Sequence, residues 1–230
     1  MRNKLLIVSF LAIVAMTGHA QTREMRYGIK MGPTFGWASS GSTVVHNKGA
    51  HLGGNVGLVV DRYFTNSIAF SSGLNFDFMR MKYEFEDARM VDGFLTEVQL
   101  PVERRVKSQN LEVPLKVKIG VEVLPSIRAY VEAGASLGFN LTDNVKDRYE
   151  FYNYSYFDEV YVDRSEQYRM LQASLLFGLG TEMEVNRNFS LFAQFTVSHG
   201  LANAFIKELE RKTGSILSTN FVGVEVGILY

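Results

Sequence analysis

The sequence predicts an all-β fold: an eight-stranded antiparallel transmembrane β-barrel, wound as an up-and-down meander and preceded by a signal peptide. Three observations predict it. Eight segments alternate large apolar residues with small or polar ones. The connections between them alternate between short and long. The chain also opens on an apolar stretch of the kind that directs export. The bulk composition agrees, because 20 Gly against 4 Pro and 13% aromatic residues suit strands and tight turns better than long helices. The absence of Cys excludes disulfides, thiolate metal sites and Cys nucleophiles. With 24 basic and 24 acidic side chains, nothing in the net charge points to nucleic acid or a polyanionic partner.

The first element is the signal peptide, residues 1–20, which leaves residues 21–230 as one barrel domain. Arg2 and Lys4 give the positive start, residues 5–16 carry no charge, and Gly18-His19-Ala20 puts small residues where a signal peptidase reads. Cleavage is expected before Gln21. This stretch is well short of the roughly 20 apolar residues that a spanning helix needs. No later segment is long and apolar enough either, so a membrane location requires a closed barrel.

Strand one sets Tyr27, Ile29, Met31, Pro33, Phe35 and Trp37 against Gly28, Lys30, Gly32, Thr34 and Gly36. Leu52, Val56, Leu58 and Val60 oppose Gly53, Asn55, Gly57 and Asp61 in the second, and Ile68, Phe70, Leu74, Phe76 and Phe78 oppose Ser71, Gly73, Asn75 and Asp77 in the third. The fourth alternates most cleanly, with Leu111, Val113, Leu115, Val117 and Ile119 against Glu112, Pro114, Lys116 and Lys118. A soluble core would not bury three charges in one strand. In the fifth, Val131, Ala133, Ala135, Leu137 and Phe139 oppose Glu132, Gly134, Ser136, Gly138 and Asn140. Leu171, Ala173, Leu175, Phe177 and Leu179 oppose Gln172, Ser174, Gly178 and Gly180 in the sixth. The seventh, about residues 189–199, is less clean and places Phe192 among its polar positions; the eighth alternates Val222, Val224, Val226, Ile228 and Tyr230 with Gly223, Glu225 and Gly227.

Long connections are expected at residues 38–50, 84–105, 142–168 and 200–217, and short ones at 62–67, 121–126 and 185–188. Outer-membrane barrels have short periplasmic turns and long outer loops, so an even strand count puts both termini on the periplasmic side.

Which face meets lipid follows from the polar rows. They are rich in Gly and hold charges of both signs, Lys30, Lys116 and Lys118 against Asp77, Glu112, Glu132 and Glu225, which form an expected polar cluster inside a narrow lumen. Aromatic residues collect at strand ends: Tyr27, Tyr63, Phe64, Phe189 and Tyr230 toward the short turns, and Phe35, Trp37, Phe78 and Phe139 toward the long loops. They are expected to form two interfacial girdles. The expected location is the outer membrane of a Gram-negative bacterium, with lipid around the barrel and the C-terminal strand as the segment read by barrel assembly machinery.

Tyr27-Gly28-Ile29-Lys30-Met31-Gly32, Leu111-Glu112-Val113-Pro114-Leu115-Lys116-Val117-Lys118, Gly178-Leu179-Gly180 and the segment 222–230 together resemble the PorT-like small outer-membrane β-barrel proteins. The likeness spans the mature chain, and much of it is barrel pattern. It implies an outer-membrane barrel, and the namesake's part in a protein secretion and gliding apparatus makes a secretion-associated role one implication.

No cofactor and no metal site is expected, and the chain is not expected to be an enzyme. The function expected is scaffolding or interaction through the outer loops; a narrow porin-like pore is the alternative, and a lipid A-modifying enzyme using the His199 region a weaker one. Ser198 and His199 give that last idea its basis, but Leu201 and Ala202 stand where a Ser nucleophile is wanted. His46 and His51 lack regular ligand spacing. The candidate interaction loop is the aromatic run Tyr149, Phe151, Tyr152, Tyr154, Tyr156 and Phe157, residue types that dominate binding hot spots. The acidic run at residues 84–87 and Arg104-Arg105 are expected in the second long loop, where they could meet across a hairpin extension.

Overall fold

A computed structural model describes residues 25–40, 46–89, 98–149, 159–160, 170–186, 189–201 and 217–230. The expected signal peptide and most of the aromatic loop, residues 150–158, lie outside the described residues. Eight long strands form the fold: β1 Met25–Ser40, β2 His51–Tyr63, β3 Ile68–Arg89, β4 Val98–Leu124, β5 Ile127–Tyr149, β6 Leu171–Asn186, β7 Phe189–Gly200 and β8 Leu217–Leu229. Each pairs antiparallel with its sequence neighbours. β1 also pairs with β8 from Gly28↔Leu229 to Ser40↔Leu217, which closes the meander into a barrel. Tyr27 and Tyr230 exchange backbone hydrogen bonds of 2.9 and 2.7 Å at the lower end of this seam. Closure leaves no edge within the barrel wall, the condition for strands in hydrocarbon.

The short turns have local causes. Between β2 and β3 the Thr65 hydroxyl accepts from the Ser67 and Ile68 amides, and Phe64 N donates to Ile68 O at 2.9 Å. Between β4 and β5, Ser126 takes φ +68°. The Pro114 of β4 has a consequence in the sheet as well. The β3–β4 register skips from Ser72↔Leu115 to Asn75↔Glu112, leaving the ladder interrupted beside a residue that has no N–H to give. The Ser72 hydroxyl donates to Pro114 O at 2.8 Å across the gap.

Period two sorts the wall as expected. Ile29, Met31, Leu58, Leu115, Val117, Ile119, Val131, Phe177, Leu179, Val224 and Val226 point outward and are exposed, while Lys30, Asn55, Asp77, Glu112, Lys116, Lys118, Glu132 and Glu225 are buried inside. In water this would be an inverted protein. In hydrocarbon it is the arrangement that leaves apolar groups in an apolar solvent. On β4 the outward apolar row from Leu111 to Val121 covers eleven residues, about 25 Å of height at the usual strand tilt.

Three strands run well past this belt. β3, β4 and β5 have 22, 27 and 23 residues, against 12 to 16 in the others. The expected long loop at residues 84–105 is therefore largely paired strand, Tyr83↔Arg104 through Arg89↔Val98, and the expected loop from 142 begins as strand through Tyr149. The polarity of the faces reverses there. Beyond Phe78 the outward positions of β3 are Arg80, Lys82, Glu84 and Glu86, while Met79, Met81, Tyr83 and Phe85 turn inward and are buried. On β4, Glu103, Arg105 and Lys107 lie outside and Val102 and Val106 inside. The alternation continues, but its apolar phase has switched from lipid to a protein interior. Residues His46–Asn47 pair with Glu84 and Tyr83 of this extension, and Glu159–Val160 with Arg148 and Asp147.

One expectation about a single side chain is corrected and another holds. Tyr63 is not a girdle residue: its position on β2 has the parity of Asp61, so it is 9% exposed and faces the lumen. Phe192, placed by the alternation on a polar row, does occupy the lumen face but is accommodated there because its ring lies against Gly227.

Candidate functional site

The chemistry of this chain is concentrated in the lumen and in the three-strand extension above it. At the short-turn end, Lys118 donates to Asp61 at 2.8 Å and to Glu182 at 3.2 Å, and its ammonium stands 4.1 Å from the centre of the Tyr130 ring. Arg26 reaches the same Glu182 and lies 5.5 Å over the Tyr63 ring. Tyr63 Oη donates to Glu182 at 3.5 Å and Tyr130 Oη to Gln194 at 2.8 Å. One layer up, Lys30 donates to both oxygens of Glu225 at 3.0 Å, and Asn55, Gln194 and Thr196 also donate to that carboxylate. Lys116 pairs with Glu132. Asn75 Nδ2 donates to Glu112 at 3.5 Å, with Asp77 on the next inward position of β3.

The glycines on the lumen face make room for this. A Cβ at Gly178 would stand 2.6 Å from Glu132 Cγ, and one at Gly180 would stand 2.7 Å from the Tyr130 ring. Long side chains therefore lie flat across neighbouring strands and fill the bore. Buried ion pairs of this kind need not add net stability, because desolvation offsets their attraction. Removing one partner is costly all the same, because it strands a charge.

Above the belt the plug is apolar around one ion pair. Arg104 Nε and Nη2 donate to Asp147 at 2.6 and 2.7 Å, with the guanidinium 4.8 Å over the Phe85 ring and both charged side chains almost fully buried. Asp147 faces inward only because the β4–β5 register shifts at Gln109/Asn110, where Leu141 is the extra residue; beyond it the odd positions Asp143, Val145 and Asp147 become the buried ones. Outside, Glu103 accepts from Lys82 at 2.7 Å and from Arg105 at 3.0 Å. Burial works to raise the Glu103 carboxyl, but these two cations win and hold it below the ordinary glutamate value.

All seven residues of the expected polar cluster are brought into the lumen, each no more than 7% exposed. Arg26, Tyr63, Tyr130, Glu182 and Gln194 join them, and only the parity of their strands could have indicated this. The expected meeting across the second loop takes a different form: Arg104 turns to Asp147 on β5, and it is Lys82 and Arg105 that meet Glu103. Of the aromatic loop only the Tyr149 backbone is described, paired with Val102. Ser198 and His199 do not meet: Ser198 is 2% exposed on the lumen face and His199 is exposed on the outer face, as consecutive strand residues must be. His46 is exposed, and His51 stands at the upper end of β2. Among the described residues no group of three or more His, Asp or Glu is placed to hold a metal ion.

None of the curated proteins matches the sequence. Several solved outer-membrane proteins are similar in structure. Neisserial surface protein A shares 9% identity at a TM-score of 0.43, over 87% of this chain and 95% of that one. OprG from Pseudomonas aeruginosa shares 11% identity at a TM-score of 0.42, over 89% of this chain and 94% of that one. Ail, the attachment invasion locus protein of Yersinia pestis, shares 14% identity at a TM-score of 0.31, over 90% of this chain and 100% of that one. The family model described as the outer membrane protein beta-barrel domain matches residues 19–205, so the inverted barrel belongs to that outer-membrane family.

Proposed function

We propose that this chain is a non-enzymatic outer-membrane scaffold of PorT-like type that engages protein partners through the raised β3–β4–β5 sheet and the segments joined to it. The observation that carries the reading is the extension itself. From Met79 to Arg89 strand β3 continues eleven residues beyond the apolar belt, about 35 Å along the strand, with a buried interior of its own. A barrel that only had to cross the bilayer would need none of this. Its outward side chains, Arg80, Lys82, Glu84 and Glu86 with Glu103, Arg105 and Lys107, present mixed charge to water. The aromatic run at residues 149–157 continues from the top of β5 and supplies the side-chain types that anchor interfaces.

A plugged lumen supports scaffolding over solute passage, since ion pairs and flat-lying side chains occupy the bore at two levels below the apolar plug. In this reading the short turns and both termini are periplasmic, residues 1–20 are removed on export, and the C-terminal strand is the one presented to the assembly machinery. A role attached to secretion fits a rigid platform of this height. The test is co-purification from detergent-solubilised outer membranes followed by mass spectrometry. A partner retained by the full chain and lost when residues 149–157 are removed is the expected result, with both forms showing heat-modifiable migration on gels. Large, stable single-channel conductance in planar bilayers would overturn the reading in favour of a pore.

A further inference from the structure

The lumen carries an imbalance that its ion pairs do not resolve. Over the height of the belt six carboxylates are buried: Asp61, Asp77, Glu112, Glu132, Glu182 and Glu225. Four cations reach into the same space, and each is engaged: Lys30 with Glu225, Lys116 with Glu132, Lys118 with Asp61 and Arg26 with Glu182. Arg128 stands at the short-turn mouth over the Tyr63 ring, twelve residues along β5 from Asn140, whose partner Asn110 is also the partner of Asp77. Asp77 and Glu112 therefore remain, 3% and 7% exposed, in no ion pair among the described residues.

Unsatisfied oxygens surround them. Asp77 Oδ1, Asn75 Oδ1 and Asn55 Oδ1 are all buried and have no hydrogen-bond partner. They share one patch of wall, since Asn55 is the cross-strand partner of Asp77 and Asn75 that of Glu112. The Asn75 oxygen lies over Gly57, 2.5 Å from where a Cβ would stand, so the glycine is what leaves room for that oxygen on the lumen face. The amide nitrogens of both asparagines already donate to carboxylates, Asn55 to Glu225 and Asn75 to Glu112, and their oxygens are left without a donor. Lys30 is held by both oxygens of Glu225.

Two carboxylates without a counter-charge, beside two carbonyl oxygens without a donor, match the preference of a hard divalent cation for oxygen ligands and for charge neutralisation. We infer that the lumen binds one divalent cation of the calcium and magnesium class between Asp77, Glu112, Asn75 and Asn55. The ion completes the neutralisation of the plug at the upper end of the belt and ties β2, β3 and β4 together below the raised sheet.

The test uses the full barrel refolded in zwitterionic detergent, free of lipopolysaccharide and stripped with a chelator. Equilibrium dialysis against radioactive Ca2+ should show uptake of about one ion per chain, and the temperature at which the compact form is lost on gels should rise with Ca2+. The double variant Asp77→Asn, Glu112→Gln should take up none and lose the rise. Its own chelated form should be at least as heat-resistant as the wild type, because two like charges are gone; a purely structural role for the carboxylates predicts the opposite. Glu86→Gln, on the outward face of the raised sheet away from the lumen, should retain uptake. Should the double variant fail to reach the compact form, Asp77→Asn alone is read, with at least tenfold weaker uptake expected. Folded wild type that takes up neither Ca2+ nor Mg2+, or variants with undiminished uptake, would overturn the inference.

Discussion

At the scale of the residue, the most exacting environment is that of Lys118. One ammonium serves Asp61 and Glu182 and faces the Tyr130 ring, and all of these groups are sealed from water. Replacing it by Met keeps the volume of the side chain and leaves two buried carboxylates with one cation, Arg26, between them. Lys118→Met is expected to destabilise the barrel by about 3–5 kcal/mol. Urea unfolding in micelles, followed by the fluorescence of the single tryptophan, Trp37, measures it. Tyr63→Phe removes only a 3.5 Å hydrogen bond to the same Glu182 and should cost less than about 1 kcal/mol. Equal losses in the two variants would mean that the network is not organised around the ammonium.

At the scale of the element, the β5 bulge absorbs one extra residue, Leu141, so that the raised sheet keeps its interior. Deleting Leu141 removes the extra residue and lets Thr142 follow Asn140 directly, so Gln109↔Thr142 pairing is kept and Asp143, Val145 and Asp147 stay on the inner face with Arg104 still paired. The expected outcome is a barrel that migrates as the compact form and whose extension resists trypsin at Arg104, Arg105 and Lys107 as the wild type does; cleavage there would mean that the bulge, and not the inward rows, holds the sheet together. The same sheet should loosen in acid through Glu103. Its folded carboxyl is held below the ordinary value of 4.5 by Lys82 and Arg105. Its stabilisation is therefore complete above pH 4.5 and is lost as pH falls through the lower, folded-state value. Lower amide protection factors over residues 80–89 and 98–107 on acidification, with the drop blunted in Glu103→Gln, are the expected sign. These features were hidden in the sequence for a physical reason. A single inserted residue such as Leu141 leaves no mark on composition. The reversal of the apolar phase beyond Phe78 makes paired strand look like charged loop to a reading that expects one face to stay apolar. The lipid-facing rows were legible because their phase holds from end to end, as in β4 from Leu111 to Ile119. Tyr63 was misplaced because an aromatic at a strand end fits both a girdle and a lumen, and only its shared parity with Asp61 separates the two.

At the scale of the whole molecule, one rule covers both halves of the fold: each strand position is apolar or polar according to the solvent its face meets, and that solvent changes once along the barrel axis. Within the belt, lipid lies outside and a charged plug inside; above it, water lies outside and Tyr83, Phe85, Val102 and Val106 inside. The rule makes substitutions at neighbouring positions diverge. Val117 is 49% exposed at the centre of the outward β4 row, flanked by Phe70 and Ala133 on the adjoining strands. Val117→Arg would place a guanidinium in hydrocarbon at mid-depth and should cost about 2–4 kcal/mol of folding into bilayers. Lys107 occupies the same outward face ten residues up, beyond the belt, so Lys107→Arg and even Lys107→Val should change folding little, because water surrounds that position on its open side. Measuring both by urea titration in lipid vesicles separates the two solvents. A large loss for Val117→Arg with none at position 107 is the expected pattern. Equal, small effects at both would mean that the Val117 row does not face hydrocarbon.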